Sequence, residues 1–196
     1  MPSPALLRFD ELMLRADTIM GVDSSGLSRK EVQALFGAVF TAQVAARNAY
    51  VVAVVRAFYL EVANAALPTF HAMHTISRSH ADKELDRFNT PNAENTRNLV
   101  AICTGYDPWP DWAWPRSGLS ALAARQRVNE ILKVRHSFAH GFAMPSYAWN
   151  VGATGQTRLT SAVLRWNRAF LVGIAVRTDA GITAHIRAVY GRAGTW

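Results

Sequence analysis

Cysteine is almost absent from this chain, and a secretory leader is not evident. Cys103 is the one cysteine among 196 residues, which excludes an internal disulfide framework and a cysteine-rich zinc site and fits a reducing compartment. Charged side chains interrupt the apolar positions of residues 1–25, so this segment lacks the continuous apolar core of a signal peptide. We therefore expect a cytoplasmic protein.

Long uncharged apolar runs are also lacking. The most apolar stretch, residues 32–62, is interrupted by Arg47, Arg56 and Glu61. A membrane span needs about 18 apolar residues with few or no charges. The stretch therefore predicts a buried helix, and we expect no membrane association.

Acidic residues are outnumbered by basic ones. The chain has 21 Lys and Arg against 14 Asp and Glu, which gives a net charge of +7, and half of its residues are hydrophobic. This balance favours polyanionic partners, and the length and apolar content fit one globular domain. No repeat, low-complexity tract or shift in composition divides the chain, so we expect a single domain over residues 1–196.

The first part of the chain predicts two amphipathic helices. Apolar residues recur at three- and four-residue steps through Leu6, Phe9, Leu12, Met13, Ala16, Ile19 and Met20. This first helix is expected to end near Gly21. Ser28 and Glu31 form the pattern of a capping box, and the helix that follows is either very long or broken near Asn48, with Pro68 as its stop.

The middle of the chain is more polar and contains a rigid loop. Residues 69–87 predict a mostly exposed helix or an ordered loop. Thr90 followed by Pro91 fits the cap and first position of a short helix that ends at Gly105. Residues 106–115 contain three prolines and three tryptophans, which predicts an aromatic loop without regular structure.

Helical periodicity returns in the last third of the chain. One helix is expected from Leu119 to Gly141, and a further one from Leu159 to Ile174 after a glycine-rich stretch at residues 151–155. A last short segment spans residues 182–190. Strand-like alternation is absent from the sequence, so the expected fold class is an all-α helical bundle.

The segment from Val134 to Gly141 holds an arginine and a histidine suited to phosphate chemistry. Arg135 keeps its charge at any working pH and can grip a phosphate with two hydrogen bonds. His140 can accept or donate a proton near neutral pH. Together, these residue types favour cleavage of a phosphodiester.

The pattern around this pair resembles the HEPN superfamily, whose motif is an arginine, a polar residue and a histidine after four to six intervening positions. Arg135, His136, His140 and Gly141 match that motif. The likeness to its RiboL-PSP branch extends over nearly the whole chain, in the long second helix and in Pro2–Phe9, Phe88–Pro91, Trp112 and Trp114. The resemblance implies an HEPN-like helical bundle.

The resemblance also implies an activity. Members of the superfamily are commonly metal-independent endoribonucleases, often toxins or antiphage effectors that act as dimers and are restrained by a cognate antitoxin or regulatory protein. Carried over, His140 transfers the proton and Arg135 stabilises the phosphate, with His136 in a supporting role and no cofactor or metal. The ribose 2′-hydroxyl would attack, leaving a 2′,3′-cyclic phosphate.

Helix geometry constrains how this pair can act. Five positions on an α-helix leave the two side chains about 140° apart and about 7.5 Å displaced along the axis. Arg135 and His140 therefore converge only if the helix end unwinds at Gly141 or if two copies share a site across a two-fold axis. We expect a homodimer.

Basic residues near the motif are candidate RNA contacts. Arg125, Arg127 and Lys133 are expected to bind substrate, and Arg116 adds to the local positive charge against the single acid Glu130. Such a surface suits the phosphate backbone of RNA.

Other interpretations remain open at this stage. His136 and His140 are spaced like two metal ligands, but a third ligand is not evident. His71, His74 and His80 fit an exposed polar helix, and the tryptophans of the 106–115 loop fit packing or base stacking. The chain could also be a non-catalytic HEPN module that binds nucleotide or RNA, or a protein-interaction adaptor.

Two positions depart from the resembling proteins. Phe142 stands where many toxin members have a tyrosine that a partner modifies. Arg56 stands where the second helix of the branch often carries a carboxylate, with Glu61 a turn later. An acidic partner for the site is therefore unassigned.

Overall fold

The structure, a computed structural model, describes residues 1–63 and 68–191. Within these ranges the chain forms six α-helices and two short 3₁₀ turns, and its β-pairing is limited to two isolated bridges. The helices are α1 (Pro4–Met20), α2 (Arg29–Glu61), α3 (Pro68–Arg87), α4 (Ala93–Thr104), α5 (Ala121–His140) and α6 (Ser161–Tyr190). This confirms the predicted all-α class.

One hydrophobic core joins the helices, with α2 and α6 at its centre. Phe9 of α1 packs edge-on against Tyr50 of α2 at 5.7 Å between ring centroids. The Tyr50 hydroxyl donates to the carbonyl of Ala175 in α6 at 3.0 Å. The Ser3 backbone N–H, at the cap of α1, donates to the buried Asp179 carboxylate at 3.1 Å. These contacts fix α1 and α6 against α2.

The second helix is one continuous element, so the alternative of a break near Asn48 is wrong. The helix tolerates the polar pair Arg47 and Asn48 because the buried Arg47 guanidinium has hydrogen-bond partners. It donates to the Pro91 carbonyl and, at 2.9 Å, to Thr96 Oγ1. The predicted capping box of Ser28 and Glu31 is confirmed. The helix already ends at Glu61, and Pro68 instead begins α3, where a proline at the first position is favoured.

The predicted start of α4 at Thr90 and Pro91 is wrong by two residues. Asn92 is the cap, and its side-chain oxygen accepts from the Asn95 N–H at 2.7 Å. The Pro91 carbonyl is engaged by Arg47 from α2 instead. Gly105 ends α4 in the left-handed conformation at φ 75°, as predicted.

The last helix is also longer than the sequence predicts. α6 runs without interruption from Ser161 to Tyr190, so residues 182–190 are not a separate segment. Gly181 lies within this helix, and the position needs a glycine because a Cβ there would overlap the hydroxyl of Tyr106, which packs against the helix. Residues 69–87 adopt the helical alternative as part of α3, and most of that helix is exposed.

Within residues 1–63 and 68–191, two helices are long and apolar enough to cross a membrane by length and composition. The most apolar windows of α2 and α6 have mean hydropathies of 1.4 and 1.2, and 56% and 44% of their residues are buried in the bundle. The mostly buried core helix of a helical bundle also passes this test of length and composition.

Candidate functional site

The candidate residues lie on the last two turns of α5. This helix begins at the Ser120 cap, and its final residue is His140, followed by Gly141 at φ 67°. Val134 and Ser137 are buried against the bundle. Arg135 and His136 lie between these two residues and face outward, and His140 is exposed at the end of the helix.

A close contact between α2 and α5 fixes this end of the helix. A Cβ at Gly37 would lie 2.9 Å from two ring atoms of Phe138, so the glycine lets the aromatic ring approach the α2 backbone directly. Ser137 also donates to the Val134 carbonyl at 2.7 Å. The backbone that carries the exposed histidines is thus held by packing on its inner face.

Three rings form an exposed aromatic cluster beside the motif. The His136 and His140 ring centroids are 4.1 Å apart. Phe142, which is 64% exposed, lies 5.8 Å from His140 and 5.9 Å from His136. His136 and Phe142 therefore restrict the orientation of the His140 ring while leaving it open to solvent.

Arg135 stands alone at the surface. Its guanidinium has no ion pair or hydrogen bond with the described residues, so it is free to bind an anion. Because α5 is regular through His140, the two side chains stay about 140° apart around the axis. The helix thus does not unwind before Gly141, and the described residues show no hydrogen bond or ring contact between Arg135 and His140.

The predicted substrate contacts separate into two groups. Lys133 is exposed and lies seven residues before His140 on nearly the same helix face. Arg125 and Arg127 lie about 20 Å from His140 along the axis. Lys133 thus shares the surface of the histidines, whereas the two arginines lie beyond it. The side chain of Arg116 lies outside the described part of the structure.

Tryptophan rings surround the two distant arginines. The Arg125 guanidinium lies 3.2 Å from the centroid of Trp109. The Arg127 guanidinium lies between Trp149 and Trp166, at 5.0 Å and 4.6 Å. Burial lowers the pKa of Arg127. The structure shows both groups packed into the bundle surface, and their role as RNA contacts stays a prediction.

The 106–115 loop is packed onto the helices. The prediction that it has no regular structure is wrong at Pro110–Trp112, which forms a 3₁₀ turn, and at Pro115, which begins a second one that ends at Ser117. The Trp112 ring is buried, and its Nε1–H donates to Thr178 at 3.0 Å. The Arg125 guanidinium lies over the Trp109 ring, and the ring centroids of Trp114 and Phe170 are 6.5 Å apart. Packing accounts for these tryptophans.

The other histidines do not gather into a site. The ring of His74 is within 2.8 Å of the Tyr59 carbonyl and stacks on Phe70, whereas His71 and His80 are exposed on α3. Among residues 1–63 and 68–191, no group of three or more His, Cys, Asp or Glu side chains could hold a metal ion.

Sequence reasoning missed part of the surroundings of the motif. The sequence showed Phe142 only as a replacement for tyrosine, although its spacing from His140 placed it within reach. Gly37 carried no local signal, because its role depends on Phe138 in a distant segment. Trp149 was missed for the same reason: it stacks on Phe40 at 6.1 Å and donates to Glu130 at 2.8 Å.

Comparison with known proteins gives no relative for this chain: no family model, curated protein or solved structure matches it. The resemblance to HEPN proteins therefore depends on the motif and on the order of the helices.

Proposed function

We propose that this protein is a metal-independent endoribonuclease in which His140 transfers protons and Arg135 stabilises the phosphate. The observation that carries the proposal is that the last two turns of α5 expose both imidazoles, which lie together, and the unpaired Arg135 guanidinium, which lies on another side of the helix. The buried guanidinium of Arg47, by contrast, donates to Thr96 Oγ1 and to the Pro91 carbonyl. Arg135 is available to a ligand.

The chemistry follows from these groups. The ribose 2′-oxygen attacks phosphorus while the bond to the 5′-oxygen breaks, which gives a 2′,3′-cyclic phosphate and a 5′-hydroxyl. An imidazole takes the 2′ proton or supplies the proton to the leaving oxygen. A guanidinium neutralises the charge that grows on the phosphate oxygens. His136, 4.1 Å from His140, keeps the reacting ring oriented and offers a second site for the proton.

Two copies complete the site in this proposal. A regular α5 separates Arg135 from His140 within one chain. A two-fold axis near the ends of two α5 helices brings the guanidinium of one copy toward the imidazole of the other. The exposed ring of Phe142 supplies apolar surface for such a contact.

Cleavage of RNA in the presence of EDTA tests the activity. We expect the wild-type protein to cut RNA to products with 2′,3′-cyclic phosphate ends. Loss of general acid–base catalysis in His140→Ala should lower the rate by about 10²- to 10⁴-fold, and Arg135→Ala should also lose most activity. His80→Ala and Arg78→Ala remove exposed residues of the same types from α3 and should cut normally.

The same assay separates the alternative. RNA binding without cleavage by the wild-type protein would identify a non-catalytic module, and equal cleavage by His140→Ala would remove this residue from the mechanism. A cytoplasmic toxin or antiphage role, restrained by an antitoxin or regulatory protein, belongs to the proposal. If this role is correct, expression of the wild-type protein should arrest growth, and expression of His140→Ala should not.

A further inference from the structure

Two arginines with free guanidinium groups line a groove at the N-terminal end of α2. Arg29 is the first residue of α2, and Arg158 lies in the segment that leads into α6. Both are exposed, and neither guanidinium has an ion pair or hydrogen bond in the described part of the chain. The groove between them has a volume of about 500 Å³.

Hydrogen bonds from the Gln33 side chain to the Leu159 backbone hold the two sides of this groove together. The Gln33 side chain of α2 accepts from the Leu159 N–H at 3.1 Å and donates to the Leu159 carbonyl at 2.9 Å. The Gly152 N–H donates to the Gln156 carbonyl at 3.0 Å, which closes the turn before Arg158. A Cβ at Gly152 would lie 3.5 Å from Arg158 Nε, so the guanidinium rests against this turn.

The charge of the groove is entirely positive. Among the described residues, those that line it include no carboxylate. The nearest acid along α2, Glu31, faces the helix cap, where its carboxylate accepts from the Ser28 N–H at 2.7 Å. Two guanidinium groups with their hydrogen-bond donors unused are well suited to a phosphate.

The groove lies at the same end of the bundle as the candidate catalytic turn. Gln33 in the groove precedes Gly37 by one helical turn, about 6 Å. Gly37 in turn contacts Phe138, two residues before His140. A strand of RNA that crosses this end of the molecule can therefore reach both surfaces.

We propose that Arg29 and Arg158 bind a phosphate of the RNA strand that flanks the one being cut. The inference rests on the proposed ribonuclease function for the identity of the ligand. These arginines contribute to substrate binding, whereas Arg135 and His140 act on the scissile phosphate.

Binding of a short single-stranded RNA to the His140→Ala protein tests the groove without cleavage. In this background, the Arg29→Ala/Arg158→Ala variant should bind more weakly, and the magnitude of the slope of log affinity against log salt should fall by about 0.7 for the one lost phosphate contact. Arg15→Ala/Arg78→Ala removes two exposed arginines without a partner from α1 and α3. This matched control should keep the parent slope, and equal slopes in all three proteins would overturn the inference.

Cleavage kinetics with an active His140 separate this inference from the proposed function. The groove variant should raise KM for the short RNA with little change in kcat. It should leave cleavage of a dinucleoside monophosphate unchanged, because the scissile phosphate is the only phosphate in that substrate. Equal losses on both substrates would contradict a flanking site. If the groove variant binds RNA more weakly but the active protein does not cleave RNA, the ribonuclease function is overturned and the groove is retained. If the active protein cleaves RNA and the groove variant binds RNA as tightly as its parent, the groove is overturned and the ribonuclease function is retained.

Discussion

Burial keeps the Cys103 thiol protonated well above neutral pH. Loss of solvation raises its pKa to about 11, and burial also raises the pKa of Tyr59, whose hydroxyl donates to the Cys103 carbonyl at 2.7 Å, to about 12. Such a thiol is a poor nucleophile because the thiolate is the reactive form. Cys103 therefore belongs to the packing of α4 against α2 and not to a reactive site.

These raised pKa values predict a loss of stability in alkali. The unfolded thiol titrates near its ordinary pKa of 9.0, so the folded chain holds more protons above that pH. The stabilisation is complete below about pH 9 and is lost as the pH rises through 11. Urea denaturation at pH values from about 8 to about 11 should show this decline in the free energy of unfolding. Cys103→Ala should show a shallower decline, and an identical one would contradict the assignment.

At the level of elements, the sequence predicted those helix ends that are set by residues close by in the chain. The capping box at Ser28 and Glu31 and the left-handed Gly105 and Gly141 are set within one turn of chain. The start of α4 was predicted less well because it depends on Arg47 from another helix. Sequence periodicity gives the type of each helix, and contacts between helices decide where some of them begin or continue.

Packing between α2 and α5 predicts a sensitive glycine. In Gly37→Ala the new Cβ meets the Phe138 ring at 2.9 Å, and such overpacking costs about 1–3 kcal/mol. The better helix propensity of alanine offsets about 0.5–1 kcal/mol of this. We expect a net loss in the free energy of unfolding, measured by urea denaturation.

Two further variants control that measurement. Gly26→Ala introduces a Cβ with no atom within 4 Å and should leave the stability nearly unchanged. Phe138→Leu combined with Gly37→Ala removes the ring that the new methyl group meets and should recover part of the loss relative to the sum of the single variants. Full additivity would show that the two residues do not interact.

At the scale of the whole molecule, the candidate surface is assembled from segments far apart in sequence. The Arg135–His140 pair was recognised because it lies within one short motif. Arg29 and Arg158 meet across a groove only after α2 and the segment before α6 pack together, and the sequence offers no spacing that links them. The candidate catalytic turn was therefore accessible to sequence reasoning, whereas the groove required the fold.

A mixed dimer tests whether two chains share the proposed site. When Arg135→Ala and His140→Ala chains carry different tags and are expressed together, the purified heterodimer contains one site with both native residues if those residues come from opposite chains. Its rate should then be about half that of the wild-type dimer, because one of two equivalent sites is intact. Each variant alone should remain inactive. If both residues act within one chain, every site of the heterodimer lacks one of them, and an inactive heterodimer would therefore rule out a shared site.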